Sequence, residues 1–242
     1  GIGFSMSSAV VTGVVDQLRE FGETRRGWLG VRIQPVDEGV AEALGLEEAR
    51  GALVADVPPG PAADGGIEAG DVILSFNGED IDDMGELPRV VADTAVDSTV
   101  RVVVYRDGRT RTLNVTVGRL EEASLAGAEP EPVEDDDKDT GPATATVSGM
   151  NLIEMTAETR EEYNIRADIN GVVVVEVDQS SDAFARGMRA GQVISEVGQR
   201  AVDSPDAVAD AFASAADAGR KSVLLLVRDN GEPRFVALDP TL

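Results

Sequence analysis

Apolar positions change period several times along the chain, and each change marks an element. Residues 9–21 carry Val10, Val11, Val14, Val15, Leu18 and Phe21 at helical spacing, with Ser7 or Ser8 as cap and Gly22 as stop. A polar connector, Glu23 to Gly27, follows. From Trp28 the pattern alternates as a strand, which Pro35 ends or edges. Glu38 to Leu44 predicts a short helix stopped by Gly45, and Ala52 to Val57 a strand. Asp71 to Phe76 predicts a strand closed by an Asn77-Gly78 turn. Met84 to Asp93 predicts a helix with Leu87, Val90 and Val91 inward and Pro88 in its first turn. Two strands, 100–105 and 110–117, flank Arg106-Asp107-Gly108-Arg109 as a hairpin.

Residues 119–146 break this order. Glu, Asp, Pro and Ala dominate, and the run from Glu134 to Asp139 has no apolar period. Such a block predicts an extended acidic linker. Beyond it the first pattern returns. Gly51-Ala-Leu-Val-Ala-Asp-Val matches Gly171-Val-Val-Val-Val-Glu-Val. Ile67-Glu-Ala-Gly-Asp-Val-Ile matches Met188-Arg-Ala-Gly-Gln-Val-Ile, and Val104-Tyr-Arg-Asp matches Leu226-Val-Arg-Asp. The offsets are 120, 121 and 122, so three blocks recur in order with little drift. A helix with Val208, Phe212 and Ala215 on one face matches the Leu87 helix. The expectation is a mainly β chain with short helices. It holds two copies of one module, 27–118 and 147–242, after a leading helix in 1–26. Each copy is a small, partly open barrel or sandwich of about five strands capped by two helices.

Composition excludes several functions. The chain has 242 residues, no Cys and no His. Thiol and Ser-His-Asp catalysis, disulfides and ordinary zinc sites are therefore absent, and no metal or cofactor is expected. The net charge of -24 repels phosphate backbones, which argues against nucleic acid as a partner. No run of 18 apolar residues spans a membrane. The first residue is not Met, so the chain reads as the interior of a longer protein.

The candidate site is the turn before the first strand. Gly30 lets the backbone of Trp28, Leu29, Gly30 and Val31 turn tightly, so successive N–H groups can converge on a carboxylate. The strand that follows, with Arg32 and Ile33, is expected to be a free edge facing the Leu87 helix. An extended peptide could add there, its apolar end lined by Leu29, Val31, Leu87 and Val91. The alternative for these apolar residues is ordinary core. Trp28 either flanks the groove or plugs the seam with the leading helix. Arg25 and Arg26 either steer an acidic terminus or merely solubilise the connector. Weaker signals lead nowhere: Asp139-Thr140-Gly141 lacks a second carboxylate, the acidic run lacks calcium-loop spacing, and Gly65, Gly66 and Gly70 lack a phosphate-loop context.

The order Arg-Arg-Gly-Trp-Leu-Gly-Val, Gly51-Ala-Leu-Val, Pro61-Ala-Ala, Gly66-Ile-Glu-Ala-Gly-Asp-Val-Ile-Leu-Ser-Phe-Asn-Gly and Arg106-Asp-Gly resembles the first PDZ domain of the periplasmic HtrA/Do-like (DegP) serine proteases. Residues 147–242 resemble the second PDZ domain, and Gly1-Ile-Gly-Phe-Ser-Met with its helix resembles the end of the protease domain. The resemblance implies a parent that is an ATP-independent quality-control endopeptidase of the bacterial envelope. Its PDZ domains bind C-termini or unfolded segments and contact the protease domain and sister subunits. It places the carboxylate loop at Trp28, Leu29, Gly30 and Val31 and the helix wall at Met84, Leu87 and Val91. The family's His, Asp and Gly-Asn-Ser-Gly-Gly motif have no counterpart here, so this chain is expected to bind and not to cut. The alternative role is a scaffold that assembles subunits and gates access. The second copy departs from the pattern. Its candidate site is Ser148, Gly149, Met150, Asn151 and Leu152 with Val208 and Phe212, and Ser148 there replaces an apolar wall residue.

Overall fold

The computed structural model describes Val15, Leu18, Arg19, Gly22 and residues 24–120 and 143–240. The helix expected over 9–21 and the acidic run 134–139 lie outside the described residues, apart from those four positions. Among the described residues no helix is long and apolar enough to cross a membrane.

The first module contains β1 (Gly27–Trp28), β2 (Arg32–Pro35), α1 (Glu38–Leu44), β3 (Ala52–Asp56), α2 (Pro61–Asp64), β4 (Val72–Phe76) and β5 (Glu79–Asp80). It continues through α3 (Leu87–Asp93), β6 (Thr99–Arg106), β7 (Arg109–Thr116) and β8 (Gly118–Arg119). The second contains β9 (Thr144–Val147), β10 (Met150–Glu154), α4 (Ala157–Glu162), β11 (Val172–Val177) and α5 (Asp182–Ala185). It ends with β12 (Val193–Val197), β13 (Arg200–Ala201), α6 (Pro205–Asp217), β14 (Val223–Asp229) and β15 (Glu232–Leu238).

Besides the two-stranded β1-β8 pair, the described residues form two larger antiparallel sheets that share one topology. The first runs β2-β3-β4-β6-β7 with β5 beside β4. The second runs β10-β11-β12-β14-β15 with β13 beside β12, and carries β9 outside β10. Neither closes into a barrel. Each module has three helices, because α2 and α5 form in segments too short to show a helical period. The repeat reaches single glycines. A Cβ on Gly51 would lie 2.7 Å from the Ile73 carbonyl oxygen, and one on Gly171 2.2 Å from that of Ile194. Both residues have positive φ, so the close approach of β3 to β4, and of β11 to β12, requires glycine in each copy.

Local chemistry sets the ends. Asp37 caps α1 by accepting from the Val40 N–H at 2.8 Å, and Gly45 stops it at φ +77°. Pro88 sits in the first turn of α3, which starts at Leu87 rather than Met84. Ahead of it the Glu86 carboxylate accepts from the Asp82 and Asp83 N–H groups, which forms a turn instead of another helical turn.

Inward residues form one core per module. Val54, Ile73, Phe76, Leu87 and Val102 anchor the first; Met150, Leu152, Ile194, Val208 and Leu225 anchor the second. A third cluster belongs to both. Val40, Leu53, Ala55 and Val72 of the first module pack against Leu224, Leu226, Phe235 and Ala237 of the second. Apart from Val40 of α1, these are the outward positions of β3, β4, β14 and β15, so each of those strands is buried on both faces. The seam is also hydrogen-bonded. The Gln34 side-chain amide donates to the Phe235 carbonyl at 3.0 Å and accepts from its N–H at 2.7 Å. Arg32 pairs with Glu232 at 2.9 Å and Lys221 with Glu42 at 3.2 Å.

Both ends of the segment expected to be linker, 119–146, carry strand residues. Arg119 pairs with Gly27, and the Leu120 N–H donates to the Arg26 carbonyl at 3.1 Å, so both residues close the first module. At the other end β9 begins at Thr144, ahead of the boundary expected at 147.

Candidate peptide-binding groove

β2 is the end strand of its sheet. Among the described residues it pairs with β3 alone, which leaves its outer edge free. Pro35 has no N–H, so the free donors stop at Gln34. α3 lies across from that edge. Leu87 and Val91, one helical turn apart, are both buried and both face the gap.

The loop before β2 is held from behind. Its Leu29 carbonyl accepts from the Ala62 N–H at 2.9 Å. The Trp28 indole lies across Gly30 and Gly60: a Cβ on Gly30 would come within 3.0 Å of the ring, and one on Gly60 within 3.1 Å. Gly30 has φ +79°. Here glycine supplies both the left-handed backbone and the space under the indole. Among the described residues, the N–H groups of Leu29, Gly30 and Val31 donate to no protein acceptor. Three consecutive N–H groups without a protein acceptor thus stand at this tight turn, the donor set from which an anion-binding nest is built.

This loop, the strand edge and the helix enclose a cleft of about 300 Å³. Leu29, Val31, Ile33, Leu87 and Val91 line it. So do Pro88, Ala92 and Leu120, which the sequence reading did not assign. Pro88 and Ala92 follow Leu87 and Val91 by one residue and widen the helix face. Leu120 was hidden in the acidic segment, where a lone apolar residue carries no period. Met84 is half-buried against the core and does not line the cleft. The Arg32 side chain points away, to Asp56 and Glu232, so only its backbone faces the edge. Trp28 borders the cleft and braces the loop. Among the described residues Arg26 is the one charged lining residue, and it is basic in a strongly acidic chain.

The loop's support leads back to a buried ion pair. Asp71, at 0 % exposure, accepts from Arg106 Nε at 2.6 Å through one oxygen and from Nη2 at 2.7 Å through the other. Its second oxygen also accepts from the Glu68 N–H at 3.0 Å. Arg106 further donates to the Gly66 carbonyl and pairs with Glu68, both at 2.7 Å. Hydrogen bonding to Asp71 outweighs desolvation and, with nearby carboxylates, raises the guanidinium pKa above its ordinary value. These bonds hold the 66–71 turn, which follows α2 and so positions the Ala62 N–H behind Leu29.

In the second module the corresponding residues are brought together differently. Ser148 and Gly149 form a hairpin turn, and Met150, Asn151 and Leu152 lie in β10 with their outer edge paired to β9. Val208 and Phe212 of α6 pack on Val147 and Ala145 of that strand. The position read as a second groove is therefore filled by the chain itself. The physical reason is the turn, since Ser148 and Gly149 both take positive φ and send the preceding residues back along β10. Arg189 stacks on the Phe184 ring, 4.0 Å from its centroid.

Residues 27–117 match the family model of the PDZ domain, so the first module is a PDZ domain. Along nearly its whole length the chain is similar to proteins named as DegP-like serine endoproteases. The "Probable periplasmic serine endoprotease DegP-like" of Bartonella henselae is 38% identical over 98% of this chain and 45% of that protein. The same-named proteins of Rhizobium meliloti and Halomonas elongata are 36% and 34% identical, over 46% and 47% of their own lengths. The chain thus spans about half the length of the curated relatives it matches. The solved structure "HtrA-type protease AlgW with decapeptide" aligns at TM-score 0.42 and 35% identity, over 55% of this chain and 38% of that one.

Proposed function

We propose that the first module captures the C-terminal end of an extended polypeptide by strand addition to β2, as the regulatory region of a periplasmic serine endoprotease. The observation that carries this reading is one juxtaposition: three unpaired amides stand at the start of a free strand edge, beside an apolar cleft. An antiparallel peptide brings its C-terminus to the start of β2, where Leu29, Gly30 and Val31 receive the carboxylate. The final side chain enters between Leu29, Val31, Leu87 and Val91, and Arg26 adds favourable charge at the rim. Unfolded segments and exposed C-termini of envelope proteins are the substrate class. The protease domain and sister subunits of the full-length protein are the other partners. This reading needs no cofactor.

A second reading rests on the shared cluster around Leu53 and Phe235. The seam makes the two modules one body, and such a body suits a scaffold that holds subunits and gates access to a protease. Titration with a peptide ending in a single apolar residue, as free acid and as C-terminal amide, separates the two. Amidation removes charge-assisted hydrogen bonds worth about 1.5–3 kcal/mol. Capture therefore predicts about 10- to 100-fold weaker binding of the amide. Equal affinity, or none for either peptide, favours the scaffold.

A further inference from the structure

A dipeptide decides how each module begins. In the first, Leu29 and Gly30 form a loop with unpaired amides. In the second, Ser148 and Gly149 hold φ of +48° and +75° and join β9 to β10 as a two-residue hairpin turn. Met150 then faces Val147, Asn151 faces Thr146 and Leu152 faces Ala145. β9 runs antiparallel along the very edge that β2 leaves open, and α6 packs on its far side. Ala145 and Val147, two residues apart, join the cluster of Val208, Phe212 and Ala215, while Thr144 and Thr146 stay exposed. Placement, side-chain alternation and helix wall are those of a strand-added peptide, here supplied in cis. Thr146 Oγ1 donates to Asn151 Oδ1 at 2.8 Å, and Asn151 Nδ2 donates to Glu176 at 2.9 Å, so a polar row ties β9 across β10 to β11.

The leading strands of the two modules pair differently. In the first, β1 pairs with β8 and not with β2. In the second, among the described residues, β9 pairs with β10.

We propose that Thr144–Val147 is a tethered ligand filling the strand-acceptor groove of the second module. Lifted off, it leaves a site for an uncharged extended peptide with small apolar residues at alternate positions. Its hold is local. Two of its four side chains anchor it, one strand pairs with it, and its turn depends on Gly149, where a Cβ would meet Ser181 at 2.5 Å. This site has no carboxylate nest, so it stands or falls apart from the first groove.

Native-state hydrogen exchange on the whole chain gives the first test. Residues 144–147 are expected to exchange at least about tenfold faster than β14, through local opening. Equal protection overturns the proposal. The second test uses a peptide Ala-Thr-Ala-Thr-Val carrying an N-terminal benzophenone. Gly149→Val breaks the turn and Val147→Asp removes an anchor, and each is expected to raise cross-linking to residues 205–217 at least about tenfold over the unsubstituted chain. Equal yield from the unsubstituted chain, or no adduct there from variants whose β14 stays protected, overturns it. If a variant loses β14 protection, exchange in the unsubstituted chain decides alone.

Discussion

Replacing Arg106 with alanine is expected to cost the first module about 3–5 kcal/mol, since it leaves a buried carboxylate without its counter-charge. Asp71 has no exposure, and two of its three hydrogen bonds come from that one guanidinium. The guanidinium itself is only 11% exposed, so solvent screens the pair little. Thermal unfolding followed by circular dichroism should show a fall of more than about 10 °C for a module of this size. Asp71→Asn in the same chain should recover part of the loss, because it removes the orphaned charge and keeps an acceptor for the Glu68 N–H. The second module supports this reading of the position. There Gln192 occupies the equivalent site, accepts from the Arg189 N–H at 3.0 Å and donates to Asp229 at 2.8 Å. A neutral residue thus fills the same corner when its partner changes with it.

Gly30→Val is expected to abolish capture while leaving most of the fold in place. A β-branched residue at φ +79° costs about 1–3 kcal/mol in backbone strain. Its Cβ would also start 3.0 Å from the Trp28 ring. The loop relieves both by rotating, and its amides then no longer converge. Losing two charge-assisted hydrogen bonds, at about 1.5 kcal/mol each, gives roughly a 100-fold loss of affinity. Fluorescence anisotropy with a labelled free-acid peptide measures this. The amidated peptide is the control, since a variant that spoils only the nest should barely change its already weak binding. A variant that binds the free acid as well as the parent chain does removes Gly30 from the site.

Much of this was legible in the sequence because its physics is local. Asp37, Gly45 and the Asn77-Gly78 pair act within a few residues, so the elements they bound stand where the pattern places them. The repeat was legible too, since Gly51 and Gly171 answer the same backbone contact in each copy. The seam was not. Ala52-Leu-Val-Ala and Val223-Leu-Leu-Leu-Val are continuous apolar runs. Such runs announce burial on both faces without naming what covers the second face. β9 was missed for a different reason. Thr144, Ala145 and Thr146 are small residues next to an acidic tract, and their pairing is decided by φ at Ser148 and Gly149. Arg119 and Leu120 were read as linker because two residues carry no period. Met84 was placed on the helix wall by resemblance, but the turn closed by Glu86 starts α3 three residues later.

The seam also bears on how capture could be transmitted. The Arg32 and Gln34 side chains leave the strand on the face away from the cleft and bond to Glu232 and to the Phe235 backbone. The strand whose edge would receive a peptide is thus the strand that touches the second module. The central claim, however, concerns three amides. Backbone amide NMR of the whole chain, titrated with matched free-acid and amidated peptides, observes them directly. The account predicts large shifts at Leu29, Gly30 and Val31 with the free acid, and much smaller ones at those residues with the amide. Shifts that spare these three, or that are the same for both peptides, would contradict it.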